Sequence, residues 1–187
     1  MMMNELLKKI EESEKDFILI AIDGRCAAGK TTLANELHKA LSCNVIHMDD
    51  FFLRPEQRSE KSLKTPGENI DQERFLNEVL IPLSKNEAFS YRPYKCKTGS
   101  FGESIKTEPS RITVVEGSYS CHPKLWDYYD IHVFMDIDRK SQLKRIVLRN
   151  GVDAAQIFEN KWIPLEESYF NTFSIKERCE IKYFHKL

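Results

Sequence analysis

Long apolar runs are missing from this sequence. No run approaches the roughly 20 residues that a helix needs to cross a bilayer. Residues 1–10 turn charged quickly and lack the apolar stretch and small-residue cleavage site of a secretory signal. These two absences argue against an integral membrane protein and against a secreted one. We therefore expect the chain to be cytoplasmic and without a membrane as partner.

Cysteine and histidine patterns typical of disulfide or metal frameworks are also missing. The five cysteines are odd in number and form no C-x-x-C pair: Cys26, Cys43, Cys96, Cys121 and Cys179. They are predicted to be free thiols. The five histidines show no metal-ligand spacing with one another or with the cysteines, so none is assigned to a metal.

An excess of charge of one sign is absent as well. Lys and Arg total 28 against 29 Asp and Glu, which gives a formal net charge of −1 at pH 7. Without a basic balance or a block of like charge, nucleic acid is not an expected partner. The 187 residues suffice for one well-buried core but not for two ordinary domains, so residues 1–187 are predicted to form a single domain.

Glycine is scarce, with 7 in the whole chain, yet two glycines bound one short motif. The segment from Gly24 to Thr31 fits G-x-x-x-x-G-K-[ST] directly after the apolar run 17–22. Backbone N–H groups of such a loop line a phosphate cradle, to which Lys30 adds a positive charge and Thr31 a hydroxyl for Mg²⁺. A plain glycine turn between a core strand and a core helix is the alternative. The predicted nucleotide-binding residues are Gly24, Arg25, Cys26, Ala27, Ala28, Gly29, Lys30, Thr31 and Thr32.

Strand and helix patterns alternate along the chain. Near-continuous apolar runs predict strands at 17–22, 44–48, 111–117, 130–136 and 180–184. Helices are predicted at 4–15, 30–41, 71–83, 139–149 and 152–173, the last broken by Pro164, and residues 162–165 are expected in the core. Residues 54–69 and 91–109 show no periodicity and are predicted to be irregular. The alternation indicates an α/β fold with a doubly wound parallel sheet, whose ligands lie outside the carboxyl ends of the strands.

Acidic residues follow two of the predicted strands. Asp49 and Asp50 come after the second strand, where at least one carboxylate should face the γ-phosphate and accept a proton from an acceptor hydroxyl. A helix cap is the alternative, which we favour for Asp50 over Asp49. Glu116 ends an apolar strand just before a glycine and looks like the acid of a Walker B strand, with a simple exposed carboxylate as the alternative.

Candidates for charge neutralisation and acceptor binding lie further along the chain. Arg145 and Arg149 are four residues apart on one predicted helix face. They would either clamp a transferring phosphate or form a solvated basic face. Tyr91, Arg92 and Tyr94 would either stack on and pin a planar acceptor or pack as ordinary aromatic residues beside prolines.

Together these residues resemble the uridine kinase and phosphoribulokinase group of P-loop kinases. The matching pieces appear in family order and span most of residues 17–150: they are 22–32, 45–52, 69–71, 91–94 and 114–117. The resemblance implies the fold of P-loop nucleoside triphosphate hydrolases in its nucleoside kinase-like form. It also implies transfer of the ATP γ-phosphate to a hydroxyl of a small molecule, typically the 5′-hydroxyl of a nucleoside.

The resemblance also assigns roles to particular residues. Catalysis falls to Asp49, the family's catalytic acid, with Lys30 and with Arg145 and Arg149 as lid arginines. Mg²⁺ is assigned to Thr31, Asp49 and Glu116. Asp71 matches the acid that holds the ribose hydroxyls, and the predicted acceptor site comprises Asp49, Phe52, Asp71, Tyr91, Arg92 and Tyr94.

Three features depart from the family pattern. The pyrimidine-reading loop of the family matches only loosely, around residues 91–96. The lid, residues 139–153, is shortened, because the further arginine cluster after the helix is reduced to residues 150–153. Phe52 lacks the hydroxyl of the tyrosine that many uridine kinases have there. Uridine or cytidine is the first choice of acceptor, while pantothenate, nicotinamide riboside and sugar or sugar-phosphate acceptors stay open, as does a homo-oligomer.

A nucleotide-gated module that signals to a protein partner is the alternative from another class. Such a module would hydrolyse ATP or GTP slowly and act through its switch loops. The sequence contains no N-K-x-D for guanine, and its acids and arginines around the loop favour a kinase. An inactive relative is disfavoured because Lys30, Thr31, Asp49 and Glu116 are all present.

Overall fold

The computed structural model describes residues 2–185, with a five-stranded parallel sheet at their centre. The strands are β1 (Ile18–Gly24), β2 (Asn44–His47), β3 (Ile112–Glu116), β4 (Ile131–Ile137) and β5 (Ile181–His185). Their spatial order is β2-β3-β1-β4-β5, and every neighbouring pair is parallel. β3 and β4 are buried along their whole length, as in parallel strands covered on both faces. The predicted α/β fold with a parallel sheet is confirmed.

Helices cover both faces of this sheet. They are α1 (Met2–Glu11), α2 (Lys30–Leu41), α3 (Glu60–Lys64), α4 (Gln72–Phe75), α5 (Ile81–Ser84), α6 (Arg139–Asn150), α7 (Val152–Ile157), α8 (Ile163–Phe173) and α9 (Ile175–Arg178). One core contains Leu6 of α1 and Leu37 of α2. A second core contains Phe75 of α4 and Tyr169 of α8. Both cores bury apolar surface against the sheet, which holds its strand ends in place.

The register of the sheet determines which strand ends meet. Ile22 of β1 pairs with Glu116 of β3, and His47 of β2 pairs with the same Glu116 from the other side. Gly24, the last residue of β1, pairs with Met135 of β4. The carboxyl ends of these strands therefore lie side by side, at the edge where ligands bind in this class of fold.

The first helix differs from its predicted bounds of 4–15, because it begins at Met2 and ends at Glu11. Leu6 and Ile10 are its fully buried residues. The following residues 12–16 are all polar or charged and have no apolar side chain to bury. Since a helix this short depends on tertiary packing, it stops where that packing stops.

Two wide helical turns precede prolines. The π-helical turns Leu76–Leu80 and Phe158–Trp162 each lead into a helix whose second residue is proline, Pro82 and Pro164. In a regular α-helix a proline lacks one hydrogen bond, and its ring collides with the carbonyl group four residues earlier. The wider turn moves that carbonyl group away. The helical path therefore continues from 152 to 173, and the predicted break at Pro164 is wrong.

The segments predicted to be irregular contain short regular pieces. Residues 54–69 include a 3-10 turn at Pro55–Gln57 and the short α3. Residues 91–109 fold back in antiparallel pairs, which join Phe89–Tyr91 to Ile105–Thr107 and Tyr94–Lys95 to Ser100–Phe101. Between residues 2 and 185, every helix is too short or too polar to cross a membrane.

Candidate active site

The segment from Gly24 to Thr31 forms the loop between β1 and α2. Gly24 has a φ of +127°, and a Cβ atom there would lie 2.1 Å from the backbone oxygen of Met135, so only glycine fits. Ala27 has a φ of 62°, a left-handed conformation that costs a residue with a side chain about 1–3 kcal/mol. The loop is a strained turn whose shape depends on the contacts around it.

The backbone N–H groups of this loop fall into two sets. Four have an acceptor within the protein, namely those of Gly24, Arg25, Cys26 and Ala28. Five have no acceptor in the part of the chain that the structure describes, namely those of Ala27, Gly29, Lys30, Thr31 and Thr32. Open N–H groups at a helix N-terminus attract anions. Of the predicted nucleotide-binding residues, these five carry the free backbone donors.

Lys30 turns its ammonium group back toward the start of the loop. Its Nζ donates to the carbonyl oxygens of Gly24 at 2.6 Å and Arg25 at 3.1 Å, and lies 3.4 Å from the Ser118 hydroxyl. The residue is only 8% exposed. No carboxylate within residues 2–185 pairs directly with this buried charge, so an anionic ligand would compensate it.

Glu116 joins the ends of three elements. Its Oε1 accepts the Thr31 hydroxyl at 3.0 Å and lies 2.6 Å from Nδ1 of His47. This hydrogen bond raises the pKa of His47, because the carboxylate favours the protonated ring. Hydroxyl and carboxylate oxygens are ligands that Mg²⁺ prefers. The structure thus brings together Thr31 and Glu116, two of the three predicted metal ligands, and adds His47, which the sequence argument missed.

The two neighbouring acids after β2 have different surroundings. Asp49 lines the central cavity, and burial raises its pKa while Lys30 lowers it. Asp50 instead accepts the Tyr91 hydroxyl at 3.3 Å and does not line the cavity. Neither acid caps a helix, since the turn Met48–Phe51 starts at His47 without a side-chain bond. Asp49 is therefore the acid that faces the phosphate loop.

A cavity of about 1020 Å³ connects these groups to the helices that follow β4. Both arginines of the predicted lid, Arg145 and Arg149, line it, and so does Phe52. Nη1 of Arg145 is buried and has no hydrogen-bond partner among residues 2–185. Because an unpaired buried donor is costly, this geometry favours an anion clamp over a solvated face for Arg145. Arg149 is exposed and donates to the side chain of Asn150.

Four predicted acceptor residues do not line this cavity: Asp71, Tyr91, Arg92 and Tyr94. Asp71 caps α4 by accepting the backbone N–H of Arg74. Tyr91 is buried against the ring of Phe51, and Arg92 donates to a backbone carbonyl within its hairpin. Their direct contact with an acceptor stays a prediction.

Two buried acids at the site were missed by the sequence argument. Asp23 accepts the backbone N–H groups of Gly24 and Cys121 and the hydroxyl of Tyr169, yet burial raises its pKa to about 6. Glu166 accepts a backbone N–H of the phosphate loop. A signal existed for Asp23, because an acid that ends an apolar strand needs donors to satisfy it. The sequence around Glu166 contains no such signal.

The expectation that residues 162–165 belong to the core is wrong except for Ile163, which is 3% exposed. Trp162 lines the cavity instead, together with Phe158. Both lie on the π-helical turn, whose wider spacing places residues 158 and 162 on the same side. The cavity therefore has an aromatic wall where the turn joins α7 to α8.

Comparison with known proteins places this site in a family. No protein-family model matches the chain. The chain is 31% identical over 163 residues to nicotinamide riboside kinase 2 of Homo sapiens, which covers 81% of this chain and 67% of that protein. It is 27% identical over 171 residues to a uridine kinase of Staphylococcus haemolyticus, which covers 83% and 80%. The solved structure of a possible uridine kinase from Bacillus stearothermophilus matches with a TM-score of 0.74 at 19% identity, over 97% of this chain and 96% of that one.

The parallel sheet, the phosphate loop and the Thr31–Glu116 pair define the class, which is that of the P-loop kinases. Within this class, the chain belongs to the family of uridine kinases and nicotinamide riboside kinases. It is a phosphotransferase that uses an alcohol group of a small molecule as acceptor. The resemblance drawn from the sequence motifs is confirmed.

Proposed function

We propose that this chain transfers the γ-phosphate of ATP to a nucleoside, with the 5′-hydroxyl of uridine or cytidine as the first candidate acceptor. The observation that supports this most is the set of groups that line the cavity of about 1020 Å³. Open backbone donors, the buried Lys30, the Thr31–Glu116 pair, Asp49 and the unpaired Arg145 all meet there. Phosphoryl transfer requires these parts: a cradle, a metal, a positioned acceptor and neutralisation of charge.

The residues present fit a magnesium nucleotide. The open N–H groups at the start of α2 and the unpaired Nη1 of Arg145 are donors in need of an anion. Thr31 and Glu116 would hold Mg²⁺, which neutralises charge on the phosphates when bound. No group of three or more His, Cys, Asp and Glu residues suited to a metal occurs within residues 2–185. The ion would therefore bind together with phosphate oxygens, as Mg²⁺ usually does.

Asp49 is the residue that would orient and deprotonate the acceptor. Its carboxylate faces the cavity, where burial raises its pKa and the Lys30 charge offsets only part of that rise. As general base it would accept the proton of the acceptor hydroxyl. Lys30 and Arg145 would meet the charge that spreads over the transferred phosphoryl group.

The walls of the cavity favour a planar acceptor. Phe52, Tyr119, Phe158 and Trp162 all line it, and aromatic faces stack on planar rings. The relatives named above are a uridine kinase and a nicotinamide riboside kinase, whose names both refer to nucleosides. Nicotinamide riboside is therefore the second candidate acceptor.

The test is a screen of acceptors by stimulated ADP release. Uridine, cytidine and nicotinamide riboside are compared with pantothenate and with sugars at equal concentration, and Lys30→Ala serves as the inactive control. We expect stimulation by a nucleoside. Stimulation by pantothenate or a sugar alone would overturn the acceptor but leave the kinase activity. Hydrolysis of ATP that no acceptor stimulates would favour a nucleotide-gated module instead.

A further inference from the structure

Glu166 is a buried acid in the cavity wall that no step of the proposed reaction uses. It lies on α8 and is 5% exposed. Its Oε2 accepts the backbone N–H of Cys26 at 3.0 Å, and its Oε1 accepts the Ser118 hydroxyl at 2.5 Å. Both oxygens of the side chain therefore have a donor, and these buried contacts hold their donors in place.

Side chains from two helices hold the backbone of Cys26. Its carbonyl oxygen accepts a hydrogen bond from Nε2 of Gln142 on α6 at 3.1 Å, while its N–H donates a hydrogen bond to Glu166 on α8. The next residue is Ala27, with its left-handed φ of 62°. Strained backbone of this kind persists where the surrounding contacts determine it. Loss of the contact from α8 should therefore let the phosphate loop relax.

The second contact of Glu166 leads to the lysine of the loop. The Ser118 hydroxyl that donates to Glu166 also lies 3.4 Å from Nζ of Lys30. One carboxylate thus holds the Cys26 peptide directly and the Lys30 ammonium through a single hydroxyl. Both are parts of the loop that the proposed reaction requires.

The neighbouring acid offers a matched control. Within residues 2–185, Glu167 forms no hydrogen bond with the loop backbone. Its carboxylate instead accepts two hydrogen bonds from the Arg25 guanidinium, at 2.7 Å and 2.8 Å. Arg25 also pairs with Asp136, so it keeps a partner when Glu167 is removed. Glu167 does not line the cavity of about 1020 Å³ that Glu166 lines.

We propose that Glu166 is a positioning residue, which sets the phosphate loop and its lysine for the nucleotide through hydrogen bonds to Cys26 and Ser118. The assignment rests on the proposed binding of ATP at this loop. The positions of its two hydrogen-bonding atoms, and not its charge, order the loop. A glutamine at this position can still accept the Cys26 N–H and can donate to the Ser118 oxygen, so it should substitute for the acid.

The first test measures the affinity for a non-hydrolysable ATP analogue with Mg²⁺ by calorimetry. Glu166→Ala should weaken binding roughly tenfold, because it removes a buried hydrogen bond that orders the loop. Glu166→Gln should stay within about threefold of the wild type, as should Glu167→Ala. Unchanged affinity in a folded Glu166→Ala variant would overturn the proposal. Equal losses in the alanine and glutamine variants would overturn it too, because charge would then be the cause.

The second test needs no nucleotide, so it separates this proposal from the proposed function. Cys26 lies in the loop and is partly buried, whereas Cys96 is exposed. The alkylation rates of both thiols are followed by mass spectrometry below the melting temperature of each variant. Glu166→Ala should speed the alkylation of Cys26 roughly tenfold relative to Glu166→Gln, which removes the same charge beside the thiol, and leave Cys96 unchanged as reference. An equal rise in both variants would reflect the lost charge and would overturn the proposal. An unchanged rate at Cys26 would overturn the role of Glu166. A faster rate in a chain whose wild type binds no ATP would support the ordering of the loop by Glu166 and overturn only the proposed function.

Discussion

Asparagine substitutions at Asp49 and Asp50, one at a time, separate catalysis from structural support. Asparagine keeps the size of the side chain and removes the base. Asp49 faces the cavity beside Lys30, where the acceptor hydroxyl is proposed to bind. A positioned general base contributes about 10²- to 10⁴-fold to kcat, which is roughly 3–5 kcal/mol in the transition state. We expect Asp49→Asn to lose this factor.

The structure predicts a small effect for Asp50→Asn. The amide oxygen of asparagine can still accept the Tyr91 hydroxyl, which lies 3.3 Å from the carboxylate in the wild type. What is lost is the charge on one long hydrogen bond, worth about 1 kcal/mol at most. Because burial raises the pKa of Asp50, the charge that asparagine removes does not stabilise the fold, so the melting temperature should stay about the same. The kcat should stay within about fivefold of the wild type.

The assay is ADP release with the acceptor that the screen identifies, measured at saturating ATP for both variants. Melting curves show whether each variant is folded. Wild-type kcat in Asp49→Asn together with an inactive, folded Asp50→Asn would refute the reasoning and move the base by one residue.

The other predictions concern charge and backbone shape. Lys30→Ala should cost roughly 3 kcal/mol in the transition state, about a hundredfold in kcat/KM, and wild-type kinetics in the folded variant would contradict the nucleotide site. Arg145→Lys keeps the charge but loses the two-pronged donor, so kcat should fall more than ATP affinity; no change in kinetics or melting temperature would indicate a solvated residue. Gly24→Ala puts a Cβ atom 2.1 Å from the Met135 oxygen and should destabilise the fold by more than about 3 kcal/mol. Gly151→Ala meets no atom within 4 Å and should cost only about 1–3 kcal/mol for its backbone conformation, with φ of +86° and ψ of 169°, so equal losses in urea denaturation would contradict the steric argument.

Contiguous residues by themselves determined the phosphate loop and the strands around it. The motif from Gly24 to Thr31 specifies a strand end, a turn and a helix start through neighbours in the chain. Glu116 is similar, because an apolar run that ends in an acid places that acid at a strand end. Since parallel strands end at one edge of the sheet, the meeting of Thr31 and Glu116 followed from these local patterns.

Contacts between distant residues were decided by the tertiary structure alone. Glu166 holds Cys26 across 140 positions of the chain, and the Asp23 carboxylate is satisfied by Tyr169 across 146. No periodicity near either residue indicates its partner, because the contact depends on how α8 crosses the loop after the wide turn Phe158–Trp162. The choice between Asp49 and Asp50 was open for the same reason. Both follow β2 in sequence, and packing around Tyr91 turns one of them away from the cavity.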